Sequence, residues 1–200
     1  LGRGGLSGVQ AVLWPADLPE PPGELPLHHL PPYAHRAFFD PQPRPEPLPE
    51  SYVLAAGLWE DRSLDLLAAA WSWAQNGLGD EWVLAACELD EAGLERLRLL
   101  CREAGLSAAV ESVLARAPER HAALFQHAGA VLALGPVLPW ADPLLHALAC
   151  GRPVVAEESA EADARAGPAA YLVPKGDARA LGAALITVIV EEENGEQLSQ

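Results

Sequence analysis

The chain has 200 residues, half of them hydrophobic, and sets 13 Lys and Arg against 28 Asp and Glu for a formal net charge of -15. That is enough apolar material for one ordinary domain. The charge repels nucleic-acid backbones and anionic membrane surfaces, so neither is an expected partner, and a small anionic ligand needs a local positive pocket. Cys87, Cys101 and Cys150 are odd in number and form no C-x-x-C pair, which fits reduced, buried thiols in a cytoplasmic protein better than a disulfide frame or a zinc site. The longest uncharged apolar run, Ala180 to Val190, is far short of the roughly 20 residues of a membrane span. No basic-then-apolar signal segment opens the chain, and a start at Leu1 fits a piece of a longer protein.

Residues 1–50 read as a proline-rich leader or interdomain segment, with twelve of the 19 prolines. "LGRGGLSG" follows no strand, so a flexible leader suits it better than a phosphate loop. "VQAVLW", Val9 to Trp14, reads as one strand, His28, His29 and His35 as solvated loop residues, and "PQPRPEPLPE" as a polyproline linker.

From Ser51 the pattern becomes strand then helix, repeated. "YVLAA" (52–56) is a strand, followed by a helix capped at Ser63, with Leu64, Leu67, Ala68 and Trp71 as its buried stripe and Gly77 as its stop. "WVLAA" (82–86) leads to a helix capped by Asp90, striped by Leu94, Leu97, Cys101 and Ala104 and ended by Gly105. "AAVESV" (108–113) is a third strand, and Pro118 opens a helix through Phe125. "AVLAL" (130–134) is the fourth; Asp142 then caps, Pro143 starts and Gly151 ends a short helix carrying His146. "PVVA" (153–156) and "AYLV" (170–173) complete six strands, and Asp177 opens a last helix whose "ALGAALITVIV" calls for burial, before a polar tail at 191–200. Strands this apolar, separated by helices, are covered on both faces, so residues 51–190 are expected to form a doubly wound parallel α/β sheet of Rossmann-like type.

Ligands of such sheets bind beyond the carboxyl ends of the strands. The loops there offer Glu60, Asp61 and Arg62, the start of the His146 helix, and Lys175 with Gly176. There is no Walker loop, no strand-linked G-x-G-x-x-G, no G-x-S-x-G elbow and no H-E-x-x-H. His121 and His127 are six residues apart, poor spacing for two metal ligands on one helical face. No metal is expected.

The order of segments resembles the C-terminal, donor-binding domain of the retaining group 1 glycosyltransferases (family 4, GT-B fold). The segments that carry the likeness are "HHLPPYAHRAFFDP", "GLWEDRSLDLLAAAW", "ERHAALFQHAGAVLAL", "PLLHALACGRPVVA" and "GPAAYLVPKGDARALGAAL". Together they cover roughly residues 30–190. The resemblance implies hexosyl transfer from a nucleoside-diphosphate sugar, with that donor as candidate ligand and no cofactor. The family's two signature glutamates, eight positions apart, fall at Leu138 and His146. Its diphosphate-neutralising arginine falls at Leu58, and its lysine close to Arg62. Its glycine pair and glutamate after the fifth strand correspond to Ala160, Glu161 and Ala164. Leucine accepts no hydrogen bond and neutral histidine accepts one, where a carboxylate can take two sugar hydroxyls. Fold and turn residues match while residues with chemistry do not.

The candidate nucleotide-sugar-binding residues are Arg62, His146, Lys175, Trp59 and Trp140; no catalytic residue is assigned. His146 is either an altered ribose contact or a histidine at the helix–sheet boundary satisfied by a carbonyl or water. Arg62 either binds phosphate or pairs with Asp61, Asp65 or solvent, and Lys175 is either a ligand contact or a turn lysine. Trp59 and Trp140 either stack on a base or sugar or fill space left by a lost ligand. Three functions are open: a non-catalytic relative serving as scaffold or partner subunit, an active transferase completed by a missing N-terminal acceptor domain, and a flavodoxin-like small-molecule domain.

Overall fold

A computed structural model describes residues 12–15, 27–30, 34–106, 110–114, 117–135 and 142–198, with backbone alone for the first two segments and for 192–198. Two short strands, β1 (Val12–Pro15) and β2 (Leu27–Leu30), pair in parallel. A single turn of 3-10 helix, Arg36–Phe38, follows. The main sheet then alternates strictly: β3 (Tyr52–Gly57), α1 (Asp61–Leu78), β4 (Val83–Cys87), α2 (Glu91–Glu103), β5 (Val110–Val113), α3 (Pro118–Gln126), β6 (Ala130–Leu134), α4 (Pro143–Ala149), β7 (Val154–Glu157), α5 (Ala160–Ala166), β8 (Tyr171–Val173) and α6 (Ala178–Leu198).

All six strands are parallel, in the order β5-β4-β3-β6-β7-β8. The expected doubly wound α/β sheet is therefore present. The chain winds outward from β3 to β5, crosses back to β6 and winds outward the other way, leaving a switch point between β3 and β6. Alternation along each strand feeds two cores. Val53, Ala55, Leu84, Leu132 and Val155 pack with α1, α2 and α6 on one face. Tyr52, Leu54, Ala85, Val131 and Val154 pack with α3, α4, α5 and the 3-10 turn on the other. Trp71 and Phe125, wholly buried, are the largest side chains given by α1 and α3 to these cores, and each such burial contributes about 2 kcal/mol or more. β3 and β6 approach so closely that a Cβ on Gly57 would lie 1.8 Å from the Leu134 carbonyl oxygen; no other residue fits at the end of β3.

Most punctuation falls where the sequence puts it. Asp90 caps α2 through the Gly93 amide and Asp142 caps α4 through those of Leu144 and Leu145. Gly105 and Gly151 follow their helices at positive φ. His28 and His29, expected in a loop, lie on β2, where backbone pairing with β1 extends them; in the sheet domain four details differ. Helix α1 starts at Asp61, two residues before the expected Ser63 cap, with Glu60 as a cap residue that makes no side-chain bond. It ends at Leu78 with Gly79 beyond, past the expected stop at Gly77. Ala104 is exposed at the end of α2, so the buried stripe there narrows to Leu97 and Cys101. Helix α6 runs on through Glu191 to Leu198, where a separate polar tail was expected. Its apolar stretch is buried against α1, where Gly182 lets the helix backbones approach: a Cβ there would meet the Ala70 carbonyl at 2.6 Å.

Residues 34–50 pack onto the sheet domain, burying Ala37, Phe38 and Leu48. Gln126, the last residue of α3, holds them. Its side-chain amide donates to the carbonyls of Ala37, Phe38 and Asp40, and its oxygen accepts from the Gln42 amide at 2.8 Å. Among the described residues no helix is long and apolar enough to cross a membrane.

Candidate functional site

Beyond the carboxyl ends of β6 and β7, beside the switch point, lies a cavity of about 520 Å3. Three loops converge on it. The segment after β3 supplies Glu60, Arg62 and Ser63; the start of α4 supplies Pro143 and Leu144; the β7–α5 junction supplies Glu157, Glu158, Ser159 and Glu161. The β8–α6 turn adds Lys175, beside Arg62. Arg62 and Lys175 thus come together, although 113 residues separate them in sequence. The approach is close: the Arg62 Nη2 lies 3.5 Å from where a Cβ on Gly176 would be.

Four carboxylates share this cavity with the two cations. Glu157 is engaged, accepting a 2.6 Å hydrogen bond from the Gly176 amide. Two of the helix starts around the cavity are closed to an anion. The Asp142 carboxylate caps α4 and pairs with Arg165 of α5, Nε to Oδ2 at 3.3 Å, with Asp142 wholly buried. Ser159 Oγ accepts from the Ala162 amide at the start of α5. Only the first turn of α1, beside Arg62, lacks a side-chain cap, and there the partial positive charge of the helix end adds to the guanidinium.

The remaining sequence candidates lie elsewhere. Trp59 turns away from the cavity, its Nε1 donating to the Cys87 carbonyl at 2.7 Å, and packs on the α1 face of the sheet. Leu138 and Trp140 fall outside the described residues. His146 does not line the cavity. It is 6% exposed and stacks on Phe38 with ring centroids 4.1 Å apart and planes 16° from parallel. Phe125 and His121 meet it edge-on at 5.4 and 5.3 Å. Among the described residues neither histidine ring hydrogen-bonds a carbonyl, and the neighbours of His146 are aromatic. Burial, with His121 beside it, pushes the His146 pKa down to about 3; burial lowers that of His121 as well. Glu60, offered with Arg62 by the loop after β3, does line the cavity; Glu157 and Glu158 were not singled out, although the loop positions that follow β7 were there to be searched. Among the described residues no cluster of three or more His, Cys, Asp or Glu could hold a metal ion.

No family model matches the chain, and no curated protein matches it in sequence. Solved structures do match it in three dimensions. HepE from Anabaena, solved in complex with UDP-glucose, aligns with 72% of this chain and 40% of its own at 17% identity and a TM-score of 0.57. WaaG, a glycosyltransferase involved in lipopolysaccharide biosynthesis, aligns with 84% of this chain and 48% of its own at 16% identity and a TM-score of 0.63. Sucrose-phosphate synthase from Thermosynechococcus elongatus gives 88% and 52% at 21% identity and a TM-score of 0.56. The chain spans about half the length of these proteins. The fold is that of the C-terminal, Rossmann-like domain of GT-B glycosyltransferases.

Proposed function

We propose that this chain is a glycosyltransferase-like donor domain that binds a nucleoside-diphosphate sugar in the cavity at the switch point and does not by itself carry out transfer. The observation that carries this reading is the convergence of Arg62 and Lys175, from the first and last loops of the sheet, on one cavity at its carboxyl edge. Two cations beside the uncapped start of α1 are a place for a diphosphate. The ligand of HepE, UDP-glucose, is the model for its chemistry. Transfer is a different matter. The signature positions of the resembling family carry Leu138 and His146, and His146 is stacked under Phe38; neither supplies a carboxylate. An acceptor half, from a further segment or a partner subunit, would complete the cleft.

Calorimetric titration with UDP, GDP, ADP and their sugar conjugates tests this, with thermal shift as control, because a ligand of the native state must raise the melting temperature. Saturable binding of one nucleotide is expected. Absence of binding by all of them would leave a second reading, a non-catalytic scaffold whose fold is kept for its surface. The unengaged carboxylates of Glu60, Glu158 and Glu161 in the cavity favour that reading.

A further inference from the structure

The turn that carries Lys175 is fastened to β7 by a side chain that no anion site would choose for its charge. β7 ends at Glu157, which is paired in register with Val173 of β8. Alternation along β7 sends Val155 to the α1 and α6 face, and Glu157, two residues on, follows it. There its Oε1 accepts the Gly176 amide at 2.6 Å. The next residue binds the same strand through the backbone, Glu158 N to Val173 O at 2.8 Å. The turn itself is tight, with Asp177 N bonded to Pro174 O and Gly176 at φ 78°. Lys175 is thus held between two fixed residues at the mouth of the cavity, on the same side as Arg62.

We propose that Glu157 is a positioning residue for the ligand's anionic group: it locks the 174–177 turn so that the Lys175 ammonium stays over the cavity with Arg62. This rests on the reading of the cavity as a donor site. The two properties of the side chain act in opposite directions. Its hydrogen bond organises the cation, while its charge offsets part of that cation's field. Glutamine and alanine separate them, because both remove the charge and only glutamine keeps an acceptor in reach of the Gly176 amide.

The experiment combines titration with UDP and with inorganic pyrophosphate, on wild type, Glu157→Gln and Glu157→Ala, with hydrogen exchange of the Gly176 amide in the free proteins. Glu157→Gln is expected to bind more tightly than wild type by about threefold, through the lost charge. Glu157→Ala is expected to bind about fivefold more weakly than Glu157→Gln, through the lost hydrogen bond. Thermal unfolding of the two variants should agree, since the turn is exposed. The Gly176 amide is expected to be protected in wild type and Glu157→Gln and to exchange freely in Glu157→Ala. Equal exchange in all three proteins overturns the clamp whether or not any ligand binds. Protection as expected but equal affinity of the Gln and Ala variants overturns the positioning role. Failure of wild type to bind either probe overturns the donor-site reading and the role assigned to the clamp, while the exchange result still judges the clamp.

Discussion

His121 and His146 are held neutral by burial in a cluster with Phe38 and Phe125. The charge closest in effect is Glu88, at the end of β4, which partly offsets the lowering at His121. A histidine whose pKa is depressed on folding stabilises the fold above its unfolded pKa of about 6.5, and that contribution is lost as pH falls from there toward the folded value. For His146 the folded value is about 3, so the loss begins just below neutrality. Between pH 7 and pH 5 unfolding by urea should become easier by on the order of 2 kcal/mol from this residue. In His146→Phe the dependence over the same interval should flatten. An equally steep profile in that variant would mean that other groups carry it. This environment was not legible in the sequence, because the ring that covers His146 is Phe38, 108 residues earlier in a stretch whose prolines read as a linker. Local pattern identified the helix and its caps; it could not identify a neighbour brought in from outside the repeating units.

At the level of elements, what the sequence made visible is what local chemistry decides. Asp90, Pro118, Asp142 and Pro143 mark helix starts because each satisfies or dispenses with a backbone amide. The start of α1 was misplaced to Ser63 because Glu60 caps it without a side-chain bond and leaves no signature. Ala104 fits the helical period of α2 but is its C-cap, exposed just past the last helical residue. The packing of residues 34–50 depends on Gln126, whose single amide serves three carbonyls while its oxygen takes the Gln42 amide, and on His127 Nε2 beside the Gln42 carbonyl at 2.9 Å. No sequence rule marks a glutamine at a helix end as such an anchor. Gln126→Ala takes the acceptor from the Gln42 amide and one donor from each of the three carbonyls, which Gln42 Nε2 and Cys150 Sγ still reach; the loss should cost about 2 kcal/mol. The result to look for is a loss of amide protection across residues 37–42 with the strands unaffected. Uniform loss across the domain would show that this segment and the sheet unfold as one unit.

Across the whole molecule, a net charge of -15 and a cavity with more carboxylates than cations act in the same direction on an anionic ligand. The fold places the ligand site at the switch point for topological reasons, through strand order and the loops it gathers. The charges are a separate matter, set residue by residue, which is why the sheet was legible in the apolar pattern and the cavity's balance was not. Glu60, Glu158 and Glu161 are exposed, and among the described residues their carboxylates make no hydrogen bond or ion pair, so their charge can be removed with little effect on packing. If Arg62 and Lys175 form a working anion site opposed by these three groups, the triple variant Glu60→Gln, Glu158→Gln, Glu161→Gln should bind UDP about tenfold more tightly at low ionic strength. The gain should shrink as salt is raised, because exposed charges are screened over about 8 Å at physiological ionic strength. An affinity unchanged at low salt would mean that the carboxylates do not face the ligand, and the cation pair would then have to act without their opposition. Affinity gained but insensitive to salt would point to altered packing of the cavity wall and not to charge.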